Sequence, residues 1–217
     1  MKDHSREARQ AIEKVFLDSG GPLPGGLDRL VLFAGELMLW NERFRMSGFR
    51  DAGDIAESGV YACSRVAPYL EEGESVVDVG SGNGFPGLVL AALLPGVTLT
   101  LVEKSRRKTS FLKTAAGRMG AENVRVLAVT AEDLAGCETF DSAISMAVFR
   151  PSKWLEVGRK LIGGKGKLFL LHSGRSSLPE KPAGLKLASN EEFLLPWSRR
   201  RRGIAVYSIE PQSSYMS

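Results

Sequence analysis

The spacing of apolar positions changes at about residue 74 and divides the chain into two patterns. From there to residue 171, five apolar runs with the length of buried strands alternate with segments of helical spacing. The predicted strands cover residues 75–79, 98–103, 124–128, 140–145 and 166–171. The predicted helices of this region cover residues 86–94, 105–119 and 151–161. This alternation predicts a mostly parallel sheet with helices on both faces.

Before residue 74 the apolar spacing is helical. Helices are predicted over residues 3–18, 27–41 and 54–70, and glycine and proline residues between the first two separate them. We therefore predict two parts. One is a helical N-terminal extension over residues 1–70, and the other is a Rossmann-like α/β domain over residues 71–217.

Two further strand-like runs, residues 191–196 and 204–209, lie late in the chain. They flank four consecutive arginines, Arg199 to Arg202, and their spacing predicts a terminal hairpin. With this hairpin the predicted sheet has seven strands.

Composition narrows the class of protein. A hydrophobic content of 43% over 217 residues supports a sizeable core, and there is no uncharged apolar run of about 18 residues that would predict a membrane span. The N-terminus is charged and has no apolar signal segment. Cys63 and Cys137 form no C-x-x-C pair. We therefore expect a cytoplasmic protein with free thiols, and a monomer in the absence of any contrary signal.

Basic residues are clustered, although the net charge of +4 is modest. One cluster, Lys104 to Lys108, opens a predicted helix, and Arg199 to Arg202 lie beside Trp197. In a third cluster, Arg45 and Arg50 alternate with aromatic side chains. Each cluster could be an ordinary solvated surface, but together they favour RNA over a small molecule as the substrate.

The first predicted strand runs into a turn in which Gly80, Gly82 and Gly84 alternate. Asp78 precedes these glycines, and Glu103 ends the second predicted strand. Glycines let the backbone approach a ligand, and an acid at the end of the second strand accepts hydrogen bonds from ribose hydroxyls. This arrangement predicts a cofactor that contains a nucleoside.

The spacing of the turn favours one cofactor over another. A dinucleotide fingerprint needs G-x-G-x-x-G, whereas this turn is G-x-G-x-G. S-adenosylmethionine has no pyrophosphate to bind, and Asp78 suits its cationic methionine end. We therefore predict S-adenosylmethionine as the cofactor.

The extended motif from Asp78 to Gly87 resembles the turn of the GidB family, also called RsmG. The most specific parts of the resemblance are the G-x-G-x-G-F-P-G run, which ends with Phe85, Pro86 and Gly87, and the Leu39–Trp40–Asn41 segment. The resemblance covers about residues 30–175. It implies a Rossmann-like class I methyltransferase that methylates N7 of a guanine in 16S ribosomal RNA, with the RNA or the small ribosomal subunit as its partner.

The resemblance also implies which residues contact the cofactor. They are Gly80, Phe85, Glu103, Lys104, Ser105, Ala131 and Glu132. Met146 stands where the family has an arginine that borders the cofactor.

Other departures from the family lie on the expected substrate side. His172 stands where the family has a lysine, Ser58–Gly59 replace an Arg-His pair, and Phe44 to Ser47 replace a Y-N-L-T segment. These departures indicate a divergent member. We predict substrate contacts from Arg45, Arg50, His172 and the arginines 199–202.

The expected chemistry explains why no acid–base constellation stands out. Guanine N7 has a lone pair and no proton, so methyl transfer to it needs positioning and not a general base. Neither cysteine lies in the Pro-Cys pair that pyrimidine C5 methylation uses, and the Asn/Asp-Pro-Pro motif of amine methylation is absent after the fourth predicted strand. His4 and His172 are too few and too far apart to predict a metal site.

Two alternative functions stay open at the level of sequence. The chain could methylate a small molecule or a protein, or it could bind cofactor and RNA without turnover. Labelling of ribosomal subunits by a methyl donor separates both from the RNA enzyme. A dinucleotide oxidoreductase is disfavoured by the spacing of the turn.

Overall fold

A computed structural model describes residues 4–146, 149–174, 178–179 and 184–210. The N-terminal part is helical. It contains α1 (Ser5–Asp18), α2 (Leu27–Phe44), α3 (Ala52–Asp54), a π-helix (Ile55–Tyr61), α4 (Ala62–Ser64) and a 3₁₀ turn (Ala67–Tyr69). The segment predicted as one helix over residues 54–70 is therefore a succession of α, π and 3₁₀ turns.

A seven-stranded sheet follows, in the order β3-β2-β1-β4-β5-β7-β6. The strands are β1 (Ser75–Val79), β2 (Thr98–Val102), β3 (Val124–Leu127), β4 (Phe140–Ser145), β5 (Ile162–His172), β6 (Leu185–Leu194) and β7 (Arg201–Ile209). Strands β1 to β5 pair in parallel, and β7 is antiparallel to both β5 and β6. The predicted parallel sheet and terminal hairpin are confirmed.

The helices of this region are α5 (Gly87–Leu93), α6 (Arg106–Met119), α7 (Ala131–Leu134) and α8 (Pro151–Arg159). The short α7 was not predicted from apolar spacing. It begins in a capping box, in which Thr130 and Asp133 each bond the other's backbone N–H.

The sheet separates two hydrophobic clusters because successive side chains along a strand point to opposite faces. Val76 packs on the face that is covered by α1, α2, the π-helix, α5 and α6. Val77 packs on the face that is covered by α7 and α8. The N-terminal helices therefore complete one of the two core layers of the α/β sheet.

The described residues contain neither a membrane-spanning helix nor a grouped metal site. None of their helices is long and apolar enough to cross a bilayer. Within the same residues, no three His, Cys, Asp or Glu side chains lie together in a way that could hold a metal ion.

Candidate cofactor and substrate site

The glycine-rich turn after β1 uses backbone angles that side chains disfavour. Gly80, Gly82 and Gly84 have φ values of +70°, +51° and +91°. The N–H groups of Gly80 and Ser81 donate to the carbonyl of Val102 at 2.8 and 3.1 Å. The turn is therefore tied to the end of β2, where the predicted ribose acid follows.

The glycines differ in the space around them. A Cβ at Gly84 would lie 2.7 Å from the Leu88 side chain, and one at Gly87 would lie 2.7 Å from the Asp78 carboxylate. A Cβ at Gly82 would meet only ordinary contacts, the nearest at 3.5 Å. Packing therefore requires glycine at 84 and 87, whereas a Cβ could be added at Gly82 without overlap.

Asp78 is fully buried beneath this turn. Its Oδ2 accepts the N–H of Gly87 at 3.1 Å, whereas Oδ1 has no hydrogen-bond partner among the described residues. Burial raises the pKa of Asp78 to about 7. A buried carboxylate oxygen without a partner is costly, and a ligand ammonium group would satisfy it, directly or through water. The residue thus fits the cationic end of S-adenosylmethionine.

Glu103 joins the turn to the start of α6. Its Oε2 accepts the N–H of Gly82 at 3.1 Å, and its Oε1 accepts the N–H of Ser105 at 2.8 Å. Both bonds hold the side chain in one orientation, and each oxygen keeps a lone pair for a further donor. This arrangement is suited to a ribose diol.

Other predicted cofactor residues differ in exposure. Ala131 is buried at the start of α7, and Glu132 beside it is exposed. Lys104 is exposed just before α6, whereas Phe85 is buried in the core. Phe85 packs against the rings of Phe33 and Phe49, with ring centroids 4.9 and 5.3 Å away. Its position makes it a support of the turn.

A cleft of about 440 Å³ adjoins the turn. Asn83 of the turn lines it, as do four of the residues predicted from sequence. These four are Met146, His172, Arg200 and Arg202. The cleft thus lies beside the cofactor turn and is lined by side chains from the ends of β4 and β5 and from the β6–β7 hairpin. Asn83 and Arg202, which both line it, are 119 residues apart in sequence.

His172 is held in place within this cleft. Its Nδ1 accepts the N–H of Gly174 at 3.1 Å, so a neutral ring carries its proton on Nε2, which lies 2.9 Å from the Asn190 amide oxygen. The ring also lies against Gly203, where any side chain would overlap it. Both nitrogens are therefore engaged by the protein itself.

The four consecutive arginines separate into two pairs. Arg200 and Arg202 line the cleft, whereas Arg199 and Arg201 do not. Arg201 pairs with Glu192 across the hairpin at 2.9 Å. Arg202 donates to the Arg201 carbonyl and has no carboxylate partner among the described residues. Burial lowers the pKa of Arg202, yet arginine stays charged at neutral pH.

The hairpin tip is fixed to the N-terminal helices. The carboxylate of Glu57, buried in the π-helix, accepts the N–H groups of Trp197 and Ser198 at 2.6 and 2.7 Å. Arg200 donates to the Ser58 hydroxyl at 2.6 Å. These bonds place the arginine side chains at the mouth of the cleft.

Arg45 and Arg50 lie in a neighbouring cavity of about 730 Å³. This cavity shares Gly48 and Phe49 with the cleft. Arg50 pairs with Asp54 at 2.9 Å. The predicted substrate residues other than Arg199 and Arg201 thus line two adjoining depressions.

Asp54 and Asn83 are among the cleft residues that sequence reasoning missed, whereas Ser58 was noted as a departure from the family on the expected substrate side. Asn83 lies inside the recognised turn, so its place in the motif could have identified it. Asp54 carries no local signal, because its neighbours in the cleft include Arg200 of the distant hairpin.

The model of the GidB family, described as rRNA small subunit methyltransferase G, matches residues 27–192. The chain belongs to this family. A GidB-family relative, the ribosomal RNA small subunit methyltransferase G of Anaeromyxobacter sp. (strain Fw109-5), is 30% identical over 84% of this chain and 88% of its own length. The protein of the same name from Salmonella arizonae is 28% identical over 82% and 87%.

Solved structures agree with the GidB-family match at the level of fold. The O-methyltransferase from Bacillus cereus in complex with SAH has a TM-score of 0.59 at 14% identity, and the match covers 82% of this chain and 90% of that one. The putative methyltransferase yhhF from Escherichia coli has a TM-score of 0.55 at 16% identity, over 70% and 88%. The fold is that of Rossmann-like class I methyltransferases.

Proposed function

We propose that this chain transfers the methyl group of S-adenosylmethionine to N7 of a guanine in 16S ribosomal RNA. The observation that carries the proposal is the cleft, in which Asn83 of the cofactor turn meets Arg200 and Arg202 of the hairpin. Membership of the GidB family supplies the reaction class. The two cysteines are free thiols, which suits a cytoplasmic protein.

The proposed binding of S-adenosylmethionine relies on protein groups that can accept further hydrogen bonds. Asp78 offers the unpartnered Oδ1 to an ammonium group, and Glu103 offers its remaining lone pairs to ribose hydroxyls. The backbone of Gly82 lies beside the Glu103 carboxylate and Lys108 Nζ, at the place proposed for the ribose. When bound, S-adenosylmethionine supplies an electrophilic methyl group, and the electron pair of the broken bond stays on sulfur.

The proposed binding of RNA relies on positively charged side chains. Arg200 and Arg202 bring two guanidinium groups to the cleft, and guanidinium groups match phosphate in geometry and charge. Arg45 and Arg50 line the neighbouring cavity together with the carboxylates of Glu7, Glu42 and Asp51, so the excess of positive charge lies in the cleft. A polynucleotide that crosses both depressions would place one base in the cleft and flanking phosphates on the arginines.

No proton leaves guanine N7 during methylation, so the site needs no general base. His172 fits this requirement, since both ring nitrogens are already engaged by Gly174 and Asn190. We propose that the chain acts by orienting the base and excluding water, with Met146 as an apolar contact beside it.

Methyl transfer to small ribosomal subunits tests the proposal. Subunits from a strain that lacks this gene are incubated with labelled S-adenosylmethionine, and the labelled nucleotide is then mapped. We expect label on N7 of a single guanine. Subunits from the parent strain are the matched control, because their target is already methylated.

Two other results of this experiment would favour the alternative functions. Cofactor binding without label on RNA or protein would indicate a binding module without turnover. Label on a ribosomal protein, or on small molecules of an extract, would indicate a methyltransferase with a different substrate.

A further inference from the structure

Asp54 is the one acidic side chain among the described residues that line the cleft. It lies in α3 and comes close to the hairpin. Its Oδ2 accepts from Arg50 Nε at 2.9 Å, whereas Oδ1 has only a long contact of 3.4 Å with Arg200. Oδ1 therefore keeps most of its capacity to accept hydrogen bonds, and Oδ2 keeps a lone pair beside its bond from Arg50 Nε.

Asp54 stays ionised at neutral pH. Its hydrogen bond from Arg50 holds the pKa of this carboxyl below its usual range. The side chain is 13% exposed, so it is partly shielded but open to a ligand in the cleft. A cleft that contains both a carboxylate and the guanidinium groups of Arg200 and Arg202 distinguishes between the parts of a nucleotide.

The phosphate and the base of a nucleotide respond in opposite ways to these charges. A phosphate is attracted by Arg200 and Arg202 and repelled by the Asp54 carboxylate. A base edge with N–H donors is attracted by the carboxylate. Guanine differs from the other three bases in presenting two adjacent donors, N1–H and N2–H, on its Watson–Crick edge. A carboxylate matches these two donors as a bidentate acceptor.

We propose that the Asp54 carboxylate accepts hydrogen bonds from N1–H and N2–H of the target guanine, and so selects guanine in the cleft. This inference rests on the proposed function and adds a specificity-determining residue to it. Arg50, which pairs with Asp54, keeps the carboxylate in place for the base.

The contact suits the reaction as well as the selection. N7 lies on the edge of guanine away from N1 and N2, so a base held by Asp54 presents its N7 lone pair unobstructed. Methylation places a positive charge on the purine ring, and this charge makes N1–H a stronger donor. The hydrogen bond to Asp54 therefore strengthens toward the transition state, which is the condition for catalysis.

Inosine in place of the mapped guanine tests the inference, because inosine keeps N7 and N1–H but lacks the N2 amino group. Small subunits are reconstituted with guanine or inosine at that position, and kcat/KM is measured for both. We expect the wild type to prefer guanine by roughly 10- to 100-fold, the effect of losing one hydrogen bond to a charged group. Asp54→Asn should bring this ratio close to one.

The matched control is Asp28→Asn, which removes an exposed carboxylate that pairs with Arg9 far from the cleft. It should keep the wild-type preference. Equal rates of the wild type on guanine and inosine would overturn the inference, even if Asp54→Asn failed to fold. An Asp54→Asn enzyme that is slower on both substrates by the same factor would show that Asp54 only positions arginines.

Failure of the proposed function would look different. A wild-type enzyme that labels neither substrate refutes the proposed function together with this inference. A wild-type enzyme that labels guanine N7 without regard to N2 refutes the role of Asp54 alone.

Discussion

Among single residues, Gly82 is one at which the effect of a substitution on folding can be measured separately from its effect on cofactor binding. Its positive φ of +51° costs an alanine some backbone strain, but the added Cβ would clash with nothing. We expect Gly82→Ala to lose about 1 kcal/mol of unfolding free energy, and to lose cofactor affinity because the added methyl group lies beside the Glu103 carboxylate that is proposed to bind the ribose. Thermal unfolding and calorimetric titration with S-adenosylhomocysteine measure the two effects.

Gly120→Ala is the matched control for this prediction. Gly120 ends α6 with a φ of +59°, and a Cβ added there would have no heavy atom within 4 Å among its described neighbours. Gly120→Ala should cause a similar backbone strain and leave the cofactor affinity unchanged. Equal affinity in both variants would mean that the cofactor does not approach the turn at Gly82.

Asp78 should make the affinity for the cofactor depend on pH. The pKa of Asp78, about 7, means that the carboxyl is mostly protonated at pH 6 in the free protein. A ligand ammonium group favours the ionised form, so binding at pH 6 should release close to one proton. Affinity should therefore rise on the order of tenfold from pH 6 to pH 8. Calorimetry with S-adenosylhomocysteine in buffers of different ionisation enthalpy counts the released protons.

Asp78→Asn provides the comparison for this titration. The amide cannot release a proton, so its heat of binding should be independent of the buffer. Proton release that persists in the variant would assign the titration to another group.

At the scale of elements, the π-helix packs closely against the glycine-rich turn. A Cβ at Gly59 would lie 2.5 Å from the ring of Phe85. We expect Gly59→Ala to destabilise the protein by about 1–3 kcal/mol, although alanine is ordinarily the better helix former. Phe85→Leu should relieve the overlap, so the double variant should be more stable than the sum of the single effects predicts. Chemical denaturation of the four proteins measures this coupling.

Gly117→Ala is the control within an open helix. Gly117 lies in α6, where an added Cβ would meet open space, and the substitution there should stabilise the protein by about 0.5–1 kcal/mol. Simple additivity between Gly59→Ala and Phe85→Leu would contradict the predicted contact.

Much of the element pattern could be predicted from sequence, because local spacing determines it. The strands over 75–79 and 140–145 begin and end as predicted. β5 begins at Ile162 and not at Gly166, since Ile162 pairs with Phe140 of β4 before a register shift that contains Gly163 and Gly164. The short α7 depends on capping by polar side chains, which apolar spacing does not register.

The site could be predicted only where the motif is local. Asp78, Glu103 and the turn glycines come from neighbouring strand ends, and general rules for α/β sheets bring these together. Asp54 and Arg200 line the same cleft although 146 residues separate them in sequence. Contacts of that sequence separation follow from the whole fold and leave no pattern in a short window.

At the scale of the molecule, the predicted boundary at residue 70 can be tested by truncation. Buried side chains of the N-terminal helices, such as Ile12 and Leu37, share one core with Leu88 and Phe111 of the α/β region. We expect a fragment of residues 71–217 to expose this face and to lose cooperative unfolding. Urea denaturation followed by near-ultraviolet circular dichroism tests this.

Removal of residues 1–20 is the graded control, since it uncovers only the part of the core beneath α1. It should lower the unfolding midpoint but keep a cooperative transition. A sharp transition in the 71–217 fragment would show that the α/β region folds independently.

The positive charge that the protein surface presents to RNA can be measured from the salt dependence of RNA binding. Replacing Arg200 and Arg202 with serine should reduce the slope of log affinity for RNA against log salt by about 1.5, because each phosphate contact contributes roughly 0.7–0.9. Filter binding across a series of salt concentrations gives the slope. Arg199 and Arg201, which do not line the cleft, are the matched pair and should reduce it less. An unchanged slope in the first variant would remove these arginines from the RNA surface.

The junction between the hairpin tip and the N-terminal helices determines when the cleft can exist. Trp197 donates from its indole N–H to Asp18 at 2.7 Å and from its backbone to Glu57, across 179 and 140 residues of chain. The wall that carries Arg200 and Arg202 therefore forms only after residues 18, 57 and 197 have all been synthesised and brought together. A nascent chain that ends before Trp197 cannot engage RNA through this cleft.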